Sequence, residues 1–227
     1  MNETLKSLLL TYTKETHKTL SDKILDLSKE TIKSCLIDLL TIYINDKNSS
    51  TLREYLTVTI AGYTHNSNKI GYNGYKLNVP NIPLNCEAKP KNICTQDFID
   101  FENGIRQSRP NKLNGGGNFT DYTWARFEKD RQSCLNMLIS GFIDGKIVFI
   151  LEFPFNSSSF TAKIHNQLVK KFPNGDIEGY YLRSASFSFK DYKNDNYSIV
   201  YVSKNIIEYE RYLDKELFAI LKMHLEQ

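Results

Sequence analysis

Glu87 and Lys89 stand two positions apart in IPLNCEAKPKN, residues 82 to 92. Alternate side chains of a strand share a face, so an acid and a lysine at this spacing point the same way. A carboxylate holds a divalent cation, and a neighbouring ammonium steadies an oxyanion or an attacking water. The pair is therefore a compact site for cation-assisted attack by water. Pro90 has no N–H to give a sheet and is expected to end regular pairing there. The same triplet also occurs as a solvated charge pair, so its setting decides between the two.

Several elements must hold that strand in place. Residues 3 to 45 read as helices, with Leu5, Leu8, Leu9 and Tyr12, then Ile32, Leu36, Leu39, Leu40 and Tyr43, at helical spacing. Ser21 and Ser28 are candidate caps between segments. These helices form either a layer on the core or a dimerisation element. NDKNSS, residues 45 to 50, is a polar break, after which Ser50 or Thr51 caps TLREYLTVTIAGYTHN. That segment reads as a helix, with its Thr57 to Ile60 β-branched run leaving strand as the alternative. KIGYNGYKLN, residues 69 to 78, is extended.

Beyond the E-x-K strand, residues 93 to 119 read as a long polar loop carrying Arg106, Arg109, Asn111, Lys112, Asn114 and Asn118 around three consecutive glycines. Long loops inside compact domains tend to be functional, and glycines allow close approach to a ligand. Thr120 or Asp121 is expected to cap a helix running to about Ser140, with Trp124, Phe127, Cys134, Leu135 and Leu138 as its buried stripe. Asp144-Gly145 turns the chain into IVFILEF, whose continuous apolar run predicts a central strand covered on both faces. Glu152, near the end of that strand, reads as a structural or supporting acid. A helix over 158–172, strands over 180–189 and 197–203, and a helix over 205–226 complete the chain.

Helix, strands, E-x-K strand, helix, strand is the element order of the PD-(D/E)xK nuclease core. Over residues 50 to 155 the chain resembles that superfamily, most closely its type II restriction endonucleases. The resemblance implies one α/β domain over 1–227: a mixed central β-sheet flanked by helices, with an N-terminal helical region (1–48), a catalytic core (49–155) and C-terminal strands and helix (156–227). It implies Mg²⁺-dependent cleavage of double-stranded DNA within a short palindrome by a homodimer. Glu87 would bind metal. Lys89 would position or help deprotonate the attacking water and stabilise the pentavalent phosphate. The family's first acid falls at Asn73, whose carbonyl oxygen is a weaker cation ligand than a carboxylate. Asn73-Gly74 also reads as a type I′ hairpin turn. Glu54 matches a helix acid that helps at the metal in many members, and it also reads as a solvated partner of Arg53. Asp121 is a helix cap or a source of the missing acid. The loop residues Arg106, Arg109, Asn111, Lys112, Asn114 and Asn118 would contact DNA. Alternatives are a non-catalytic DNA-binding protein with a decayed site, a repair or junction-resolving nuclease of the same superfamily, and a protein-binding scaffold.

The formal net charge of +3 over 227 residues excludes nothing, because a nuclease keeps acids in its site and bases on its DNA face. The chain has no apolar run long enough for a bilayer and its first residues lack a small-residue cleavage site, so neither a membrane partner nor a signal peptide is expected. Cys35, Cys86, Cys94 and Cys134 have no C-x-x-C spacing and read as reduced thiols of a cytoplasmic protein. The histidines are scattered and form no metal-ligand motif.

Overall fold

The protein is described by a computed structural model covering residues 2–45, 50–66, 71–78, 82–133 and 135–226. Residues 46–49 of the polar break, the side chains of Leu40 and Tyr43, and Cys134 lie outside the described residues.

The chain is mixed α/β. It opens with α1 (Glu3–Lys14), α2 (His17–Leu25), α3 (Lys29–Asn45) and α4 (Thr51–Ile60). The strands β1 (Thr64–His65), β2 (Gly74–Asn78) and β3 (Ile82–Ile93) follow, then α5 (Thr95–Glu102), β4 (Gly117–Tyr122), α6 (Trp124–Gln132), β5 (Leu135–Ile143) and β6 (Lys146–Pro154). The last elements are α7 (Ser158–Lys171), β7 (Leu182–Phe187), β8 (Ser198–Val202) and α8 (Lys215–Leu225). Among the described residues, six strands form a sheet in the order β1-β2-β3-β5-β6-β8, and β4 pairs with β7 in a separate ribbon. The β3–β5 pair is parallel and the other pairs are antiparallel.

β5 and β6 are largely apolar because both their faces are covered. Met137, Ile139, Leu151 and Phe153 join the large cluster beneath α7, α8 and the ribbon. Phe142, Ile147 and Ile150 pack with Leu56 on the other face, towards α4 and α1. Asp144 (φ 47°) and Gly145 (φ 75°) both take positive φ between Ile143 and Lys146, the geometry of a type I′ hairpin.

Several expectations are corrected. The helix expected over 120–140 is three elements: β4, α6 and β5. The apolar residues 135 and 138 fit either period, and burial on both faces of the sheet decides for strand. Asp121 is not the cap of α6; Thr123 is, its side chain accepting the Arg126 N–H at 3.2 Å, while Asp121 is exposed at φ 51°. The polar loop holds α5, whose first turn is bonded from afar: the Thr95 N–H donates to Asp144 Oδ1 at 3.0 Å. Ser21 lies inside α2, although Ser28 does accept the Thr31 N–H at 3.1 Å. The C-terminal helix is a 3-10 segment (Ile206–Tyr212) and then α8, broken at buried Leu213.

Pro90 does not end β3, which continues to Ile93 beside β5. The β2 register stops at Gly74↔Cys86. Even-numbered backbone positions of β3 face the β2 side, so the missing N–H of Pro90 points where no strand remains to use it. Asn73-Gly74 is not a type I′ turn. Neither residue has positive φ, and the Asn73 carbonyl instead accepts the Asn66 N–H at 2.8 Å.

Candidate active site

β3 alternates as the sequence predicts. Cys86 and Ala88 face α4 with Val58 and Leu138. Glu87 and Lys89 therefore face the ribbon and α6. Glu87 is 8% exposed, and its Oε1 lies 2.7 Å from Lys89 Nζ. Lys89 Nζ also stands 4.8 Å from the centroid of Phe119. A buried carboxylate requires such partners, because desolvation without them is costly.

A second pair extends the cluster. Arg126 and Asp130 are one helical turn apart on α6, so they share a face. Arg126 lies 3.8 Å from Glu87 Oε1 through Nη2 and 3.9 Å from Asp130 Oδ2 through Nε. Asp130, 4% exposed, accepts the Tyr122 hydroxyl at 2.7 Å. Burial pushes the Asp130 carboxyl up and nearby Glu87 adds to that, while the Tyr122 hydrogen bond and Arg126 oppose them. Burial likewise raises the Tyr122 phenol, with Asp130 adding to it. α6 is fixed for this task by Asp176, whose carboxylate accepts the Trp124 and Ala125 N–H groups at 2.8 and 2.9 Å.

Asn73 sits beside β3 just beyond its last pair with β2. Its Oδ1 accepts the Ala88 N–H at 2.7 Å, and its Nδ2 donates to Glu54 Oε2 at 3.2 Å. One carboxamide thus replaces the departed strand and ties α4 to β3.

Two clefts meet at the ion pair. Glu87 lines one of about 310 Å³ with Tyr72, Arg126, Lys129 and Asp130. Lys89 lines another of about 540 Å³ with Glu54, Lys91, Asn114, Asn118 and Ser186. Of the loop residues expected to bind DNA, Asn114 and Asn118 reach this second cleft. Lys112 lines a different one with Glu208, Glu210 and Arg211. Arg106 pairs with Asp97 at 2.9 Å, and Arg109 and Asn111 are exposed. Sequence reasoning passed over Asp130 and Tyr122. The available signal was the 3.6-residue period that puts Asp130 one turn after Arg126, obscured by the overlong helix.

Glu152 takes a supporting role, as expected. It accepts the Tyr63 hydroxyl and the Asn136 amide, each at 2.5 Å, and pairs with Lys76 at 3.3 Å.

No protein-family profile matches the sequence, and no curated protein is significantly similar to it. No helix among the described residues is long and apolar enough to cross a membrane.

Proposed function

We propose that the protein is a Mg²⁺-dependent endodeoxyribonuclease that cuts double-stranded DNA within a short palindrome, in the manner of a type II restriction enzyme of the PD-(D/E)xK superfamily. The observation that carries this reading is the Glu87–Lys89 pair, 2.7 Å apart on one face of β3 where two clefts meet. The run α4, β1, β2, β3, with α5, β4 and α6 between β3 and its parallel neighbour β5, supports it, since that superfamily also follows its E-x-K strand with a helical crossover to a further strand.

The donors suit a hard cation. Glu87, Glu54 and the Asn73 carboxamide are oxygen ligands, and Mg²⁺ usually takes one or two carboxylates, keeping water and substrate phosphate for the rest. Glu87, Glu54 and Asn73 would hold the cation, which would offset phosphate charge and acidify a water. Lys89 orients the attacking water and stabilises the charge growing on the phosphate. Arg126, placed between Glu87 and Asp130, holds the Glu87 carboxylate in position. Asn114 and Asn118, which line the Lys89 cleft, contact the duplex there, and Arg106, Arg109, Asn111 and Lys112 would meet it only beyond that cleft. Two chains related by a two-fold axis match the two strands of a palindrome.

A second reading has its own observation. Asn73, which stands where the family's first acid falls, is engaged structurally by Ala88 and Glu54, and this favours a DNA-binding module whose metal site has decayed. Digestion of a sequenced plasmid with Mg²⁺ separates the two. Discrete cuts with mapped 5′-phosphate ends support the nuclease, and intact plasmid under specific binding supports the module.

A further inference from the structure

We propose that the outward face of the β4–β7 ribbon reads base edges of duplex DNA whose backbone lies at Lys89, an inference that takes its ligand from the nuclease reading. The register pairs Asn118 with Ser186 and Thr120 with Ser184. Phe119, Ala185 and Phe187, the intervening residues, are buried in the core. Period-two alternation therefore gathers Asn118, Thr120, Ser184 and Ser186 on the other face, where all four are exposed.

This face is polar but uncharged, and it adjoins a cationic floor. Lys89 and Lys91 line the same cleft as Asn118, Ser184 and Ser186. Phosphates need only positive charge, whereas base edges need donors and acceptors in pattern. Hydroxyls and a carboxamide supply both. A two-stranded ribbon also has the width that the major groove admits.

The ribbon is held rigidly against the catalytic strand. A Cβ on Gly117 would stand 2.8 Å from the Cβ of Lys89, so only glycine lets β4 come this close. On the far side, the Gln167 carboxamide bonds both the N–H and the carbonyl of Ser186, at 3.1 and 3.0 Å. A further observation points to a ligand. Asn114 Oδ1 is buried with no donor among the described residues, in the same cleft. Buried acceptors are nearly always satisfied, and an N–H entering this cleft satisfies this one.

The test is selection from a pool of randomised 20-base-pair duplexes, bound without Mg²⁺ and sequenced, for wild type, Asn118→Ala, Ser186→Ala and Thr120→Ala. Thermal melts check that these exposed substitutions leave the fold intact. Wild type should enrich one motif. Each variant should lose selectivity at one or two positions, by about 10- to 100-fold per lost contact, and keep it elsewhere. Lys91→Ala should weaken binding to all duplexes and lower the salt slope instead. An unchanged motif in every ribbon variant, or no motif for wild type, overturns the proposal. A wild-type motif with plasmid left uncut overturns the nuclease reading alone.

Discussion

The carboxamide oxygen of Asn73 lies 2.7 Å from the backbone nitrogen of Ala88, one residue along β3 from Glu87. The contact closes an N–H that β2 has left behind and holds β3 to α4 through Glu54. Asn73→Ala should cost roughly 1–3 kcal/mol, because it leaves a buried donor unsatisfied. It should also lower the cutting rate and raise the Mg²⁺ required. Asn73→Asp keeps the acceptor for Ala88 and adds a carboxylate, so cutting should survive. Urea melts and cutting rates against Mg²⁺ concentration check both. Normal stability in the alanine variant would show that this contact is idle.

Gly117 sets the distance between the ribbon and Lys89. Gly117→Ala forces a methyl against the Lys89 stem and the Phe187 ring. Overpacking of this kind costs about 1–3 kcal/mol. Cutting should fall further than stability alone explains, since the displaced group is the lysine. A thermal melt paired with a single-turnover rate separates the two effects.

Asp130 gives the fold a pH signature. Its carboxyl is raised above the ordinary carboxylate value, first by burial. An acid shifted this way binds its proton more tightly folded than unfolded, so stability falls as pH rises from the unfolded value to the raised folded one. Below that window nothing is lost, and above it the loss is constant. Asp130→Asn keeps an acceptor for the Tyr122 hydroxyl and should remove this part of the slope. Denaturant melts across that window test it, and identical slopes for wild type and variant would exclude the effect.

Glu152 should behave as a structural acid. Its partners Tyr63, Lys76 and Asn136 are all left without it in Glu152→Ala, so that variant should destabilise markedly. The Mg²⁺ concentration for half-maximal cutting should not move. A shift in it would bring Glu152 into the metal site.

Much of this was legible along the chain. The E-x-K strand, the apolar strand after Asp144-Gly145 and the helix after Ser50 follow from local period and turn chemistry. The elements that sequence misjudged are those fixed by distant partners. The first N–H of α5 is bonded by Asp144 and the first two of α6 by Asp176, both far along the chain. The strand character of residues 135 to 143 comes from burial between β3 and β6. Pro90 reads as a terminator only until β2 is seen to diverge. Asp130 joins the site for the same kind of reason, since Tyr122, whose hydroxyl it accepts, and Glu87, with which it shares Arg126, come from two other elements.

Glu87 and Lys89 are proposed to perform metal-dependent hydrolysis. The most direct test is plasmid digestion in Mg²⁺ by wild type, Glu87→Gln and Lys89→Ala, each first shown to be folded and to bind duplex. Wild type should cut at discrete sites leaving 5′-phosphate ends, stop on chelation, and lose nearly all activity in both variants. Near wild-type cutting by either variant, or none by wild type, would contradict the assignment.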